Sequence, residues 1–393
     1  MRNAADFDIL IVGGGLVGAA LALALRDSGL RLALVERGAP QPLPPGDDWD
    51  ARIYAITPAN VRALQRLGAW AHLDAARLAP VYTMQVWGDD GGQIAFSADR
   101  LGVPALAAIA ESRRVLDGLW IRLRESDAVH CVTGLDCDAL TWEAERACLR
   151  LTDGAELTAR LVVGADGRDS WVRDQAGIDI HPHSYQQWGI VANFATEKPH
   201  GQTARQWFTP DGVLAYLPLP GNRISIVWSV EETKAQALMA LPPDALCADV
   251  AAAGRHAVGA LRLITPPAAF PLRRLNIGSL VRPRLALVGD AAHNVHPLAG
   301  QGVNLGFQDA WRLAETLHRR GVYRDCGDYH LLRRYDRARQ EDILAMQIVT
   351  EGLQRLFNNR DPLLGWARNL GLSAANRLTG VKHLLARRAL GTG

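Results

Sequence analysis

The sequence of 393 residues has little cysteine, no marked charge excess and no long apolar run. Its five cysteines include no C-x-x-C pair, which predicts free thiols in a reducing compartment and neither a disulfide framework nor a metal site. Lys and Arg total 43 against 41 Asp and Glu, which disfavours a nucleic-acid binder. No run reaches the roughly 18 apolar residues of a membrane-spanning helix, and no signal peptide is predicted. We therefore expect a cytoplasmic protein.

The apolar runs that are present predict two kinds of sheet. Phe7–Val12 and Arg31–Glu36 resemble buried strands around a helical run, Leu16–Arg26, which predicts a β-α-β unit and a parallel sheet. Residues 206–230 contain short strand-like runs separated by turn sequences, and residues 224–230 alternate as in an antiparallel sheet with one face more buried. A later helix has an apolar face formed by Val303, Phe307, Ala310, Ala314 and Leu317.

A glycine motif stands between the first predicted strand and helix. Gly13-Gly14-Gly15-Leu16-Val17-Gly18 fits G-x-G-x-x-G. In this motif Gly13 permits a tight turn, Gly15 lets a pyrophosphate approach the backbone, and Gly18 lets helix and strand pack closely. The helix N-terminus attracts phosphates, and Glu36 at the end of the second strand can accept hydrogen bonds from an adenosine ribose. The motif predicts a dinucleotide site without separating NAD from FAD.

Two further segments follow predicted strands. Asp166-Gly167 comes directly after an apolar strand; it is either an ordinary turn or a loop fixed beside a cofactor. Asp290 ends another strand, where a carboxylate suits a ribityl hydroxyl, and Gly300 and Gly302 leave room for a flat ring. The helix that begins there would direct its positive end towards a flavin reduced to an anion, which a nicotinamide enzyme does not need. This third segment favours FAD.

In order and separation, these three segments resemble those of the flavin-dependent aromatic hydroxylases of the para-hydroxybenzoate hydroxylase type. The run from His296 to Gly306 is most similar to their ubiquinone-biosynthesis branch, in particular to the bacterial 2-octaprenyl-3-methyl-6-methoxy-1,4-benzoquinol hydroxylases. Further matches lie at residues 50–56, 206–212 and 368–372, so the resemblance covers essentially the whole chain.

The resemblance implies which residues hold FAD. Arg52 matches an arginine near the flavin, and Asp166 matches the Asp-Gly motif that also serves the pyridine nucleotide. Arg113 matches a position near the ribose or phosphates, with an exposed surface arginine as the alternative. The full implied set is Gly13, Gly15, Leu16, Val17, Gly18, Glu36, Arg37, Arg52, Arg113, Asp166, Gly289, Asp290, Pro297, Gly300, Gln301, Gly302, Val303 and Asn304.

We expect an α/β fold in which a Rossmann-like FAD-binding domain is interleaved with a β-sheet substrate domain and followed by a helical C-terminus. The predicted bounds are 1–75, 100–179 and 276–345 for the FAD-binding domain, 76–99 and 180–275 for the substrate domain, and 346–393 for the helical segment.

The resemblance also implies the chemistry. NADPH or NADH, or another donor, reduces FAD; O₂ then forms a flavin hydroperoxide that hydroxylates the ring of a polyprenylated phenol or benzoquinol. Because the cofactor performs this chemistry, no catalytic side chain is required, and His296 and Tyr216 are only weak candidates. A loop-fixing histidine and an aromatic core residue are the alternatives for these two positions. His293 has the same loop-fixing alternative.

Two other functions stay open at this point. One is a flavin monooxygenase acting on a small soluble phenol, and the other is a non-catalytic FAD-retaining member of a ubiquinone-synthesis assembly. A flavin halogenase is disfavoured because Trp-x-Trp-x-Ile-Pro is absent, and a short-chain dehydrogenase because Tyr-x-x-x-Lys is absent.

The C-terminal residues 362–393 carry no Asp or Glu and combine basic with apolar residues. Such a segment either lies on an anionic membrane surface, here the inner face of the membrane, or packs on its own domain with a solvated basic face. The sequence does not decide between these two arrangements.

Overall fold

The computed structural model describes residues 5–38, 41, 43, 48–88, 92–180, 183–209, 212–275, 277–294, 301–321 and 323–357. Its strands are β1 Phe7–Val12, β2 Leu32–Glu36, β3 Ile53–Ile56, β4 Ala79–Val81, β5 Thr83–Trp87, β6 Gln93–Ser97, β7 Ala107–Glu111, β8 Val129–Thr133, β9 Cys137–Trp142, β10 Ala147–Leu151, β11 Glu156–Gly164, β12 His183–Thr196, β13 Thr203–Thr209, β14 Gly212–Leu219, β15 Arg223–Glu231, β16 Leu261–Leu263, β17 Ala268–Arg274, β18 Val281–Arg282 and β19 Leu285–Leu287. Its α-helices are α1 Leu16–Leu25, α2 Pro58–Arg66, α3 Ala98–Leu101, α4 Ser112–Arg124, α5 Trp171–Gln175, α6 Glu232–Met239, α7 Pro243–Ala253, α8 Gln301–His318 and α9 Tyr329–Phe357. Short 3-10 turns occupy Ala69–His72, Ala75–Arg77 and Gly289–Ala291.

The first sheet has the strand order β18-β19-β11-β1-β2-β8, with the β9–β10 hairpin attached to β11. The strand β1 pairs in parallel with β2 and with β11, and β11 pairs in parallel with β19. Their apolar residues are almost fully buried, as expected of a parallel sheet covered on both faces. The predicted β-α-β unit is therefore confirmed, with element ends within one residue of those predicted.

The second sheet is mainly antiparallel and has the order β16-β12-β15-β14-β13-β5-β6, with β17 beside β12. The residues Ile224, Ile226, Trp228 and Val230 pack with α6 and α7 into one core. On the opposite face Ser225 and Ser229 are also buried but Val227 is only half-buried, so the prediction of one more buried face is confirmed by a small margin. The margin is small because a third sheet, β3-β7-β4, packs against that opposite face around Val227 and Leu217.

Helices α8 and α9 cover the first sheet beside α1. The predicted apolar face of α8 is confirmed, since Phe307, Ala310, Ala314 and Leu317 are buried. The helix α9 is continuous through residues 345 and 346, where the sequence placed a boundary; the domain division as a whole stays a prediction. Among the residues that the structure describes, no helix is both long and apolar enough to cross a bilayer. Residues 358–393 lie outside the described ranges.

Candidate active site

The Gly13 turn lies directly against the loop that follows β11. A Cβ atom on Gly13 would lie 2.5 Å from the carbonyl oxygen of Ala165 and 2.7 Å from the amide nitrogen of Asp166. The φ of Gly13 is +104°, in the region that favours glycine. The amide of Ala165 also donates to the carbonyl of Val12 at 2.8 Å. The first two predicted segments therefore meet at the carboxyl ends of two neighbouring parallel strands.

The third segment reaches the same edge of the sheet. Gly289 has a φ of +62°, and a Cβ atom there would lie 3.1 Å from Cγ2 of Val17. A Cβ on Gly306 of α8 would lie 2.7 Å from the same side chain. The strand before Gly289 pairs with β11, with Leu287 opposite Gly164. All three segments thus converge at the carboxyl edge of the first sheet, where α/β folds bind ligands.

Gly15 and Gly302 face open space and have no positive φ. A Cβ on either would meet no atom of the described residues within 4 Å, apart from its chain neighbours and its own helix, so packing among these residues does not require glycine at either position. Gly15 also has an ordinary φ of −66° and precedes α1, which no side chain caps among the described residues. A backbone cradle beside an uncapped helix N-terminus fits the phosphates of a dinucleotide. The residues present therefore fit FAD at this edge.

Glu36 stands beside the glycine turn. Its carboxylate accepts hydrogen bonds from the amide of Gly14 at 2.6 Å and from the amide of Gly38 at 3.0 Å. Trp120 holds the other side of the turn, since its Nε1 donates to the Gly14 carbonyl at 2.9 Å. Among the described residues each carboxylate oxygen accepts one hydrogen bond, and a carboxylate oxygen has two acceptor sites, so Glu36 has capacity for ribose hydroxyls. Arg37, the next residue, is exposed.

Asp290 lies in the turn Gly289–Ala291, at the sheet edge where the three segments converge. This edge is called the cofactor cleft below. The surrounding protein raises the pKa of its carboxyl, whereas the charges of His293, Arg168 and Arg52 lower it, with a net increase. The side chain is nevertheless solvent-exposed, so water in the cleft weakens the effect of burial. Arg52, which is also exposed, is therefore near enough to Asp290 for its charge to lower the pKa of that carboxyl.

Asp166 fixes its own loop. Its carboxylate accepts from the hydroxyl of Ser170 at 2.6 Å and from the amide of Val172 at 3.0 Å. Burial raises the pKa of this carboxyl, and the hydrogen bonds oppose that rise. These bonds fix the loop that lies against the Gly13 turn, and its place beside a bound cofactor stays a prediction.

Arg113 is engaged by protein groups. Its guanidinium donates to the carbonyl of Asp48 and lies 3.5 Å from the buried carboxylate of Glu111, while its amide donates to Asp50. Asn304 is similarly engaged: its Nδ2 donates to the Ala55 carbonyl at 2.8 Å, and its Oδ1 accepts from the Thr57 amide at 2.9 Å. Its Oδ1 also accepts from Nδ2 of Asn60 at 2.9 Å, which fills both acceptor sites of that oxygen.

Tyr216 lies in the core of the second sheet. Its hydroxyl donates to the carbonyl of Val250 at 2.6 Å, and its ring stands edge-on to Trp207 at 4.8 Å. Burial raises the pKa of its hydroxyl far above the ordinary value. These contacts match the alternative of an aromatic core residue.

The remaining candidates divide into two groups. Leu16, Val17 and Val303 are half-buried next to the glycine turns. His296, Pro297 and Gly300 lie outside the described residues, as does the side chain of Gln301.

Sequence reasoning missed two buried ionic clusters behind the cleft. One is centred on Glu111 and the other on Asp309, which binds His293 and Arg339. His293 thereby fits its loop-fixing interpretation. Neither cluster belongs to a short motif. The available signal was a charged residue at a position expected to be buried: Glu111 at the end of an apolar strand and Asp309 in an amphipathic helix.

Comparison with known proteins identifies the chain's family. The FAD binding domain family matches residues 6–351. The 3-demethoxyubiquinol 3-hydroxylase of Escherichia coli is 37% identical over 387 residues, covering 98% of each chain. Ubiquinone hydroxylase UbiL of Rhodospirillum rubrum is 37% identical over 392 residues, covering 98% of this chain and 90% of that one.

A solved structure shares the fold. The p-nitrophenol 4-monooxygenase PnpA of Pseudomonas putida has a TM-score of 0.78 at 18% identity, covering 98% of each chain. Because the family matches most of the sequence and the two relatives align along nearly all of it, the chain belongs to the FAD binding domain family and is an FAD-dependent monooxygenase.

Proposed function

We propose that this protein hydroxylates the aromatic ring of a polyprenylated phenol or benzoquinol in ubiquinone biosynthesis. The observation that carries the proposal is the similarity along nearly the whole chain to two ubiquinone-pathway hydroxylases. In the reaction a ring C–H becomes C–OH, the second oxygen atom of O₂ leaves as water, and NADPH, NADH or another donor supplies two electrons. Bound FAD would supply the redox chemistry that activates O₂.

The residues of the cleft would bind and orient this cofactor. We infer that the backbone at Gly15 and the N-terminus of α1 hold the pyrophosphate, and that Glu36 holds the adenosine ribose. Asp290 would hold the ribityl chain, with Arg52 and the start of α8 near the ring system. The open space at Gly15 and Gly302 supports this arrangement. Within it, Asp166 and Arg113 act on the loops around the cofactor, since their polar groups already bind protein.

Turnover of defined substrates tests the proposal. Purified protein with FAD should consume NADPH or NADH faster when a polyprenylated benzoquinol precursor is added, and mass spectrometry should find a product heavier by one oxygen atom. Deleting the gene should make the unhydroxylated precursor accumulate. Acceleration by a small soluble phenol alone would favour that alternative substrate. Reductant consumption that no phenol accelerates, with no hydroxylated product, would favour the non-catalytic assembly member.

We also propose that residues 362–393 place the protein on an anionic membrane surface, where a polyprenylated substrate resides. The absence of Asp and Glu from this segment supports the proposal, since about 1 kcal/mol per basic residue is available near such a surface. Full-length protein should sediment with anionic liposomes, and protein truncated after Asp361 should not. Equal binding by both forms would contradict it. Membership of a ubiquinone-synthesis assembly stays a prediction, for which co-purification with tagged pathway enzymes is the direct test.

A further inference from the structure

Residues 289–293, which include Asp290, are bonded to one buried carboxylate. Oδ2 of Asp309, in α8, accepts from the amide of Gly289 at 2.9 Å and lies 2.6 Å from Nε2 of His293. Gly289 is the first residue of the turn Gly289–Ala291, and His293 lies two residues beyond its end. The segment has its own bond as well, from the amide of His293 to the carbonyl of Gly289 at 3.0 Å. A single oxygen atom therefore holds both ends of the segment on which Asp290 stands.

The second oxygen of Asp309 binds a third element. Nε of Arg339, in α9, donates to Oδ1 at 2.7 Å, and Nη2 of the same residue donates to the Leu305 carbonyl at 3.2 Å. Asp309, Arg339 and His293 are 0%, 2% and 4% exposed, so no water competes for these bonds. The carboxylate thus joins the turn to both helices that cover the sheet.

The carboxylate of Asp309 is the shared acceptor of this cluster. Burial raises the pKa of the Asp309 carboxyl, but the charges and hydrogen bonds of His293 and Arg339 outweigh it and keep the pKa below its ordinary value. Arg339 also donates through Nη1 to Asp342 at 2.6 Å, so its guanidinium serves two carboxylates.

We propose that Asp309 is a positioning residue for FAD, acting through His293 and Gly289 to hold Asp290 in its binding orientation. The inference rests on the FAD site and not on the identity of the phenol. In Asp309→Asn, one carboxylate oxygen is replaced by an NH₂ group, which cannot accept a hydrogen bond. At least one of the three groups that now donate to Asp309 would then face another donor. A leucine in place of His293 would release one end of residues 289–293 while keeping the Asp309–Arg339 pair.

FAD affinity of FAD-free protein is the measurement that tests this proposal, read from the quenching of FAD fluorescence without phenol or reductant. Asp309→Asn and His293→Leu should weaken FAD binding about 10- to 100-fold, the effect of losing a hydrogen bond to a charged group. His293→Gln, which can still donate to Asp309, should recover most of the affinity. If Asp309→Asn does not fold, His293→Leu and His293→Gln carry the test.

Asp336→Asn is the matched control. Asp336 is also a buried aspartate, 2% exposed, but it joins α9 to the amide of Leu280 and not to a residue of the turn. This variant should lower the thermal midpoint of FAD-free protein while its FAD affinity stays within about threefold of wild type. Wild-type affinity in both Asp309→Asn and His293→Leu, or an equal loss in Asp336→Asn, would overturn the positioning role. Because no phenol enters the assay, failure of the ubiquinone-pathway assignment leaves this result unchanged.

Discussion

Arg77 and Glu111 form a two-point ion pair in the interior, with Nε bonded to Oε2 and Nη2 to Oε1, each at 2.9 Å. The Glu111 side chain is 0% exposed and also accepts from the Asp50 amide at 2.8 Å and from Nε of Arg114 at 2.7 Å. Asp50 in turn accepts from the amide of Arg52 at 2.9 Å. The pair therefore sets the start of β3 and the position of Arg52 near Asp290.

Replacing Glu111 with Gln should destabilise the protein strongly. The substitution leaves the buried Arg77 guanidinium without its counter-charge, which costs about 3–5 kcal/mol of unfolding free energy. Urea unfolding measures this loss. Glu143→Gln, which removes an exposed pair with Arg146, is the control and should change the unfolding free energy by less than about 0.5 kcal/mol. Similar values for the two variants would refute the structural role of the Glu111 cluster.

The contribution of Glu111 should also depend on pH. Burial raises the pKa of Glu111. Hydrogen bonds from Arg77, from the Asp50 backbone amide and from Arg114, together with the charge of Arg77, outweigh burial and lower the pKa below the ordinary value of 4.5. When the pKa is lower in the folded state, the carboxylate contributes its full stabilisation above the pKa of the unfolded state. This stabilisation is lost as pH falls through the pKa of the folded state. The difference in unfolding free energy between wild type and Glu111→Gln should therefore be constant near neutral pH and shrink below about pH 4.5. A difference that grows on acidification would contradict this sign.

Gly13 and Gly15 should respond differently to alanine. Gly13→Ala forces a Cβ into the Ala165 carbonyl at a positive φ and should cost about 3 kcal/mol or more of stability. Gly15→Ala adds a methyl group to open space, so the thermal midpoint of FAD-free protein should move by less than about 2 °C. The same methyl group should weaken FAD binding by about tenfold or more, because it stands where a phosphate must approach. Unchanged affinity in Gly15→Ala would place the cofactor elsewhere.

Asp290→Ala should weaken FAD binding about 10- to 100-fold, since one acceptor for the ribityl chain is lost. Equilibrium titration of FAD-free protein measures this change. Asp249→Ala is the control because Asp249 is an exposed aspartate on α7, in the other lobe. If both variants retain wild-type affinity, Asp290 is not a cofactor ligand.

Tyr216→Phe separates a packing role from a catalytic one. Loss of the bond to the Val250 carbonyl should cost about 1–2 kcal/mol of stability. Turnover at saturating substrate should stay within about twofold of wild type if the hydroxyl serves only the core. A fall of a hundredfold in turnover, with FAD still bound, would instead assign Tyr216 to the reaction.

The sequence predicted the parts of the fold that depend on local pattern. The turn at Gly13, the strand before it and the apolar face of α8 all follow from periodicity and residue type, and the structure confirms them. The hydrogen-bond partners of individual polar side chains could not be predicted in this way. Asn304 belongs to the motif expected to line the flavin, yet its amide binds Ala55 and Thr57, which are remote in sequence. Arg113 was equally placed for a ligand or a surface group, and its partly exposed guanidinium lies beside Glu111 and bonds to Asp48. Such choices depend on long-range partners that periodicity does not encode.

The parallel pairing of β5 with β13 has a consequence for how the chain acquires its structure. Thr83 lies opposite Thr203, and the chain between them builds the strands β8 to β11 of the first sheet before it returns. During synthesis, the β5–β6 hairpin must therefore wait for a partner strand that emerges much later, with the outer edge of β5 still unpaired. Pairings this far apart in sequence form slowly, because a long loop must close before any contact is gained. The two lobes should consequently fold and melt as one cooperative unit, and neither should be stable if it is expressed alone.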